Sequence, residues 1–252
     1  AGGHFLREKI NKSNNNLIPL DSEHFSLFRI KPKDSEIKSL YITASGGPFY
    51  FNKKINLNSV SQKEVLSHPK WKMGINNSID SSNFINKVLE IFELSIIFNI
   101  KILKIDFLIS KEAFIHSLVC FKDNTISINC FENNMLIPLI KPLTQKLMSN
   151  DLKLNSKKYF NVKNLKLEKL NDNRFKISKY LNKIKKFTHN QQISFMLLNN
   201  YAHINYLNGK LKYSNIIQFI FDQIEPQKDM KFKSFRDILK YIDKLKSKYE
   251  NF

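Results

Sequence analysis

The spacing of hydrophobic residues along this chain changes from strand-like runs to helix-like repeats. Apolar runs of strand length lie at residues 17–20, 39–44, 102–109, 114–121 and 125–131. Short runs rich in β-branched and aromatic residues and bounded by polar turns are typical of β-strands. The last two runs flank Asp123 and Asn124, which predicts a hairpin at that point.

Helical periodicity is strongest between residues 80 and 98, where Asp80 or Ser81 supplies a polar N-cap. A second helix is predicted at residues 24–30, and a third follows Ser61, because residues 61–64 have the form of a capping box. Pro69 is expected to end that third helix. The apolar face of the long helix carries Phe84, Val88, Ile91 and Phe92.

The second half of the chain is expected to be helical. Residues 175–186, 191–207, 213–224 and 232–249 all repeat their apolar positions with a helical period. Together the two halves predict an α+β fold, in which an α/β-type domain with a mixed sheet precedes a small all-helical C-terminal domain. The expected boundaries are 1–148 for the first domain, 149–174 for a Lys- and Asn-rich connector, and 175–252 for the helices.

The composition narrows the class of protein. The 252 residues are 42% hydrophobic, which is enough for a large core. The net charge of +19 invites a nucleic-acid hypothesis, but only four of the 41 basic residues are arginines, so we expect a solvated surface and no nucleic-acid partner. No apolar run is long enough to cross a bilayer. A cytoplasmic protein with no membrane partner and with free thiols at Cys120 and Cys130 is therefore expected.

Carboxylates recur at positions that favour a metal site. Asp21 and Glu23 lie two residues apart at the end of the predicted first strand, so they should project to the same side. On the long helix, Asn86 and Glu90 share a face, and Lys87 reaches Glu90. Three carboxylates form a hard-oxygen set that suits Mg²⁺ or Mn²⁺. Helix capping and surface ion pairing remain alternative explanations.

Two loops have features of a phosphate site. Ser45 and the glycines after it follow a strand and expose backbone N–H groups to an anion. The segment from His68 to Gly74 holds the only Trp and could close over a ligand. A plain tight turn and a Trp covering a local core are the corresponding alternatives. His116, in an apolar strand, is more typical of a core histidine.

In this order, the patches resemble 1-deoxy-D-xylulose 5-phosphate reductoisomerase of the non-mevalonate isoprenoid pathway. The similarity extends weakly through Met135 and Phe175 into the helical tail. The motifs that carry it are Pro19-Leu20-Asp21-Ser22-Glu23-His24, Ser45-Gly46-Gly47-Pro48-Phe49, His68-Pro69-Lys70-Trp71-Lys72-Met73-Gly74, Ile79-Asp80-Ser81, Asn86-Lys87, Glu90 and Ile115-His116-Ser117.

The resemblance implies a role for each matching residue. Asp21, Glu23 and Glu90 match the family's metal ligands, which with Lys87 form the expected catalytic set. Trp71 and Met73 match a closing flap, and Gly74 is a weaker candidate for cofactor contact. The residues expected to bind substrate are Ser22, Ser45, His68, Trp71, Met73, Ser81, Asn86, Lys87 and His116.

The implied reaction is a metal-assisted rearrangement of the ketose phosphate, followed by hydride transfer from NADPH to give 2-C-methyl-D-erythritol 4-phosphate. The resemblance also implies a homodimer. The family begins with an NADPH domain and a Lys-Glu-Ser segment that this chain does not show, so we expect the isolated chain to be inactive. A decayed or repurposed paralogue that only binds metal and sugar phosphate is the alternative.

The chain departs from the family pattern at several positions, which places the pocket geometry in question. Ala113 stands where the family commonly has serine, and Val88 where glycine is frequent. Asn83 and Phe84 replace a small residue followed by Met. Residues 199–203 lose the Asn-Glu pair of a helix motif. The three carboxylates remain intact.

Overall fold

The computed structural model describes residues 1–12, 17–68, 73–143, 165–224 and 229–249. In these residues a mixed sheet lies beside the helices, in the strand order β2-β1-β3-β4. Its strands are β1 (Ile37–Ala44), β2 (Ile105–Ile109), β3 (Ile115–Phe121) and β4 (Ile126–Cys130). Strand β1 runs parallel to β2 and antiparallel to β3, and β4 forms the outer edge beside β3. The predicted α+β class is confirmed.

The helices surround this sheet and continue into the C-terminal part. Short 3-10 turns at Ile102–Lys104, Lys176–Tyr180 and Tyr213–Asn215 connect some of them. The α-helices are α1 (Gly3–Asn11), α2 (Ser22–Ile30), α3 (Gln62–Leu66), α4 (Ile75–Ser82), α5 (Ile85–Phe98), α6 (Leu136–Leu143), α7 (Leu181–Ile184), α8 (His189–Leu207), α9 (Ile216–Gln223) and α10 (Phe235–Tyr249). No helix in the described ranges is both long and apolar enough to cross a membrane.

The predicted first strand, at residues 17–20, is wrong. Those residues form no regular structure, and Asp21 is instead the N-cap of α2. Its Oδ1 accepts the backbone N–H groups of Glu23 at 3.0 Å and His24 at 3.4 Å. A carboxylate at this position satisfies N–H groups that have no partner within the helix and interacts favourably with the helix dipole. Capping therefore places the two acidic residues together, without a strand.

The single helix predicted at residues 80–98 is also wrong, because the chain forms two helices there. Phe84 separates α4 from α5 with a left-handed backbone, φ 68°. The Asn83 side chain accepts the N–H of Ile85 at 2.9 Å, which stabilises the break. Phe84 is then buried against Phe107 and Phe175, with ring centroids 5.8 and 4.9 Å away. The burial of this ring offsets the cost of the unusual backbone.

The predicted hairpin is confirmed, with Asp123 and Asn124 in the turn between β3 and β4. Cys120 pairs across the hairpin with Ile126, while Cys130 pairs with Ile115. The two sulfurs therefore do not face each other, and both cysteines are free. The capping box is confirmed as well, since Ser61 and Glu64 bond reciprocally at the start of α3. Pro69 lies outside the described residues.

The C-terminal helices are present as predicted, and they share one hydrophobic core with the sheet. Part of the expected connector is described, and it is anchored to the first part of the chain. Glu168 forms an antiparallel bridge with Ile109, and the Arg174 guanidinium donates to backbone carbonyls of residues 49–55. The domain boundaries at 148 and 174 remain predictions, and residues 144–164 lie outside the described ranges.

Candidate metal and phosphate site

A cavity of about 220 Å³ opens at the carboxyl end of β1, between α2, α4 and α5. The start of β3 forms another wall, through Ala113 and His116. The structure brings most of the predicted site residues to this cavity. Those that line it are Asp21, Ser22, Glu23, Ser45, Met73, Ser81, Asn86, Lys87, Glu90 and His116.

Three carboxylates meet at one end of the cavity. One oxygen each from Asp21, Glu23 and Glu90 lies within 4.8 Å of the other two. Asp21 and Glu23 come from the capped start of α2, and Glu90 comes from the second turn of α5. Glu23 and Glu90 are buried, so their charges repel in a medium that screens them poorly. This oxygen donor set fits a hard divalent cation such as Mg²⁺ or Mn²⁺.

Lys87 is the buried cation among these carboxylates. Its Nζ lies 2.5 Å from Oε1 of Glu23 and 2.8 Å from each oxygen of Glu90. Burial alone would lower the pKa of Lys87, but the charges of Glu23, Glu90 and Asp21 outweigh it and raise that pKa above its ordinary value. The lysine therefore stays charged.

The carboxylates respond to the same cluster in opposite directions. Burial and the charge of Glu23 raise the pKa of Glu90 well above its ordinary range, and Lys87 only partly offsets them. Burial also acts to raise the pKa of Asp21, but the hydrogen bond and charge of His24 prevail, so that pKa is lowered. One lysine cannot neutralise three clustered acids, two of which are buried, and this is the charge imbalance that a divalent cation corrects.

Neighbouring polar groups orient the acids. Ser22 donates to Glu23, and Asn86 donates to Glu90. Nδ1 of His24 lies 2.9 Å from Oδ1 of Asp21. Sequence reasoning included His24 in the motif but assigned it no role. The predicted helix began only at His24, so the pairing of His24 with Asp21 follows from Asp21 being the N-cap of α2.

The serine and glycine loop forms the other end of the cavity. Gly46 and Gly47 have φ angles of 89° and 58°, which other residues rarely adopt. A Cβ on Gly47 would lie 2.9 Å from the carbonyl oxygen of Ser81, so the loop and α4 approach closely only with glycine there. The predicted anion loop is therefore a close backbone contact as well as a turn.

His68 lies behind this loop. Its Nε2 is 3.1 Å from Oγ of Ser45. Burial, and then the charge of Lys87, lower the pKa of His68 to about 4. The ring is therefore neutral at pH 7, and its hydrogen bond with Ser45 brings no charge to the loop.

His116 borders the cavity and is also packed as a core residue. Its ring stacks on Phe131, with 3.7 Å between centroids, and its Nε2 lies 3.3 Å from the Phe131 carbonyl oxygen. Burial lowers the pKa of His116. His116 is therefore packed as a core residue, and it also lines the cavity; its role in binding remains a prediction.

Some predicted residues lie elsewhere, and some lining residues were missed. Trp71 lies outside the described residues, and Gly74 caps α4 without lining the cavity. Asn77 was missed, although it lies four residues before Ser81 on the same helix. Asn133 was missed too, and nothing in the sequence marks it. Its buried Oδ1 has no hydrogen-bond partner in the described structure.

Comparison with known proteins connects this geometry to a family. The model of the 1-deoxy-D-xylulose 5-phosphate reductoisomerase C-terminal domain matches residues 17–98, which hold the carboxylates and the glycine loop. The reductoisomerase of Pelagibacter ubique is 30% identical over 94% of this chain. That of Pseudothermotoga lettingae is 32% identical over 97%. The chain belongs to the 1-deoxy-D-xylulose 5-phosphate reductoisomerase family.

Solved reductoisomerase structures share the fold. A reductoisomerase in complex with NADPH, fosmidomycin and magnesium superposes on 98% of this chain with a TM-score of 0.85 and 23% identity. The Zymomonas mobilis reductoisomerase in complex with NADPH gives a TM-score of 0.81 over 97% of the chain, also at 23% identity. The chain spans 61% of the Pelagibacter and 66% of the Pseudothermotoga reductoisomerase.

Proposed function

We propose that this chain supplies the metal and substrate half of a 1-deoxy-D-xylulose 5-phosphate reductoisomerase. The reaction is a rearrangement of the ketose phosphate followed by reduction with NADPH to 2-C-methyl-D-erythritol 4-phosphate. The observation that supports it best is the three-carboxylate cluster, placed in one cavity with a serine and glycine loop. A hard cation beside a phosphate subsite is what a metal-assisted rearrangement of a sugar phosphate requires.

The residues divide the work between the two ends of the substrate. Asp21, Glu23 and Glu90 would hold Mg²⁺ or Mn²⁺, which would polarise substrate oxygens and stabilise the negative charge that develops on them. At the other end, Ser45 and Ser81 hydrogen-bond the phosphate and restrict how the sugar can lie. Remote binding of this kind orients the carbon skeleton for rearrangement.

Lys87 and Asn86 lie beside the carboxylates, where both bond Glu90. A divalent cation held by the carboxylates would neutralise part of their charge. The Lys87 ammonium would then be available to interact with the substrate phosphate. Asn86 orients Glu90 and contributes its amide to substrate hydroxyls. His116, Ser22 and Met73 complete the walls, His68 bonds Ser45 from behind the loop, and Trp71 is proposed to cover the ligand.

NADPH is the proposed hydride donor. Two of the superposed reductoisomerase structures contain it. Gly74 at the start of α4 is the candidate contact to this cofactor within the chain. The preference between Mg²⁺ and Mn²⁺ is left to direct measurement, because both accept carboxylate oxygens.

The proposed assembly is a cytoplasmic homodimer. Strand β4 is an edge of the sheet in the described structure, and its Ile126 and Ile128 are 60% and 52% exposed. An apolar edge strand pairs readily with a second copy. Sedimentation should give a dimer that Ile128→Lys dissociates.

The protein is also proposed to have no nucleic-acid partner. Failure to bind DNA above about 0.2 M salt would support this absence.

The test measures the oxidation of NADPH by the whole protein in the presence of 1-deoxy-D-xylulose 5-phosphate and Mn²⁺. Turnover that needs all three, and that Glu90→Gln abolishes, supports the proposal. The variant Glu36→Gln is the matched control, because Glu36 is exposed and does not line the cavity. Saturable binding of metal and sugar phosphate without turnover in the whole protein would favour the non-catalytic paralogue instead.

A further inference from the structure

Three buried polar side chains meet between α4 and α8, outside the cavity. Oδ1 of Asp80 accepts a hydrogen bond from Nδ2 of Asn199 at 2.9 Å and lies 2.9 Å from Nε2 of His203. The three residues are 5%, 3% and 2% exposed. Nδ1 of His203 lies 3.3 Å from Oδ1 of Asn76, on the first turn of α4. Helix α4 is thus tied to α8 at two points.

Such a contact fixes position more sharply than an apolar one. A buried carboxylate is costly unless its oxygens are hydrogen-bonded, so Asp80 constrains α4 to the place where both donors reach it. Apolar contacts have no directional requirement of this kind. Buried polar contacts of this kind often contribute specificity of arrangement more than stability.

Helix α4 carries two walls of the cavity. Ser81 follows Asp80 directly, and Asn77 precedes it by three residues, and both line the cavity. On the opposite side, the Ser81 carbonyl lies against Gly47 so closely that a Cβ would clash. The helix is therefore held between α8 and the glycine loop, and any displacement moves the polar groups at both ends of that contact.

We propose that Asp80, held by Asn199 and His203, is a positioning residue that sets where Ser81 and Asn77 meet the bound phosphate. The inference rests on the proposed function, since it assumes a phosphate at that end of the cavity. Asn199 and His203 lie in the segment where the sequence departs from the family's Asn-Glu motif.

The experiment measures two affinities in the same set of variants. Fosmidomycin, the ligand of a superposed reductoisomerase, is titrated calorimetrically at saturating Mg²⁺, and Mn²⁺ binding is followed by electron paramagnetic resonance. The variants are Asp80→Asn, His203→Leu and the conservative His203→Gln. Asp222→Asn is the control, because Asp222 is exposed and, among the residues that the structure describes, accepts a hydrogen bond from Gln218 of the same helix, α9.

A positioning role predicts a split between the two affinities. Loss of one buried hydrogen bond in His203→Leu or Asp80→Asn should weaken fosmidomycin binding by about 10-fold. Mn²⁺ affinity should stay within about 2-fold, because the metal ligands lie on α2 and α5, away from this contact. His203→Gln retains a donor and should recover most of the affinity.

Hydrogen exchange gives a readout that needs no ligand. Amides of residues 77–81 should exchange faster in His203→Leu than in the parent protein, while those of α5 should not change. Unchanged fosmidomycin affinity and unchanged exchange would overturn the inference, and so would a parallel loss of Mn²⁺ affinity. If the parent protein itself fails to bind fosmidomycin, the proposed function fails instead, and the exchange experiment still decides the role of Asp80.

Discussion

The ammonium of Lys87 lies 2.5 Å from Oε1 of Glu23, although the two residues are 64 positions apart in the chain. This pair joins α5 to the start of α2 inside the candidate metal site. Because the same lysine also bonds Glu90, it is the internal cation that makes three clustered acids tolerable in the folded protein. The first prediction concerns its removal.

Replacing Lys87 with Met should destabilise the metal-free protein by about 3–5 kcal/mol, because it leaves buried carboxylates without their cation. Added Mn²⁺ should then raise the melting temperature more in the variant than in the parent protein. Lys63→Met, at an exposed position of α3, is the control. Equal stability of Lys87→Met and the control would show that the lysine does not compensate the acids.

The glycine loop allows a prediction with an internal control. Gly47→Ala should cost about 1–3 kcal/mol and weaken phosphate binding, since it adds both a disfavoured φ and a clash with the Ser81 carbonyl. Gly209 has a comparable φ of 73° with nothing within 4 Å of its Cβ position. Gly209→Ala should therefore cost only about 1 kcal/mol, from backbone conformation alone. Urea unfolding measures both, and equal losses would contradict the close contact.

The lowered pKa of His68 predicts that the stability of the folded protein depends on pH. Its pKa is lowered to about 4 in the folded protein, so the unfolded chain binds the proton first as the pH falls. Its contribution to stability should therefore decline between about pH 6.5 and pH 4, with a slope of at most about 1.4 kcal/mol per pH unit.

Two measurements check the His68 prediction. The ring resonances of His68 should not titrate between pH 8 and pH 5 in the folded protein. The difference in unfolding free energy between the parent protein and His68→Gln should narrow as the pH falls from about 6.5 to about 4. A ring that titrates near its ordinary pKa would contradict the burial behind the serine loop.

Arg174 should hold the segment that follows the glycine loop. Its guanidinium donates to the carbonyls of Phe49, Tyr50 and Asn52 while pairing with Asp172. Lysine cannot reproduce this fork, so Arg174→Lys should cost about 2 kcal/mol and speed amide exchange in residues 49–55. Arg236→Lys, on the exposed side of α10, should change neither property. Unchanged stability and unchanged amide exchange in Arg174→Lys would show that other contacts hold residues 49–55.

Local sequence signals predicted the elements that depend on local chemistry. The Ser61 and Glu64 capping box and the turn at Asp123 and Asn124 formed as expected, because both depend on residues close in sequence. Phe84 shows the limit. Its helical periodicity with Val88 and Ile91 continues across the break, and the rings of Phe107 and Phe175, distant in sequence, bury it where the chain turns.

At the candidate site, too, the local motifs were predicted from the sequence and the long-range contacts were not. The order of its motifs indicated the carboxylates and the serine loop, and the structure brings them to one cavity. The route was different from the one expected, since helix capping places Asp21 and Glu23. The contact of Asp80 with His203 joins residues 123 positions apart, and no local pattern encodes it.

Divalent cation binding by Asp21, Glu23 and Glu90 is the property on which the proposed function depends most. Titration with Mn²⁺, followed by electron paramagnetic resonance, should show one saturable site per chain. Glu90→Gln should weaken it by at least about 100-fold, and Glu36→Gln should leave it unchanged. Absence of a saturable site, or equal affinity in Glu90→Gln and the parent protein, would contradict the central claim.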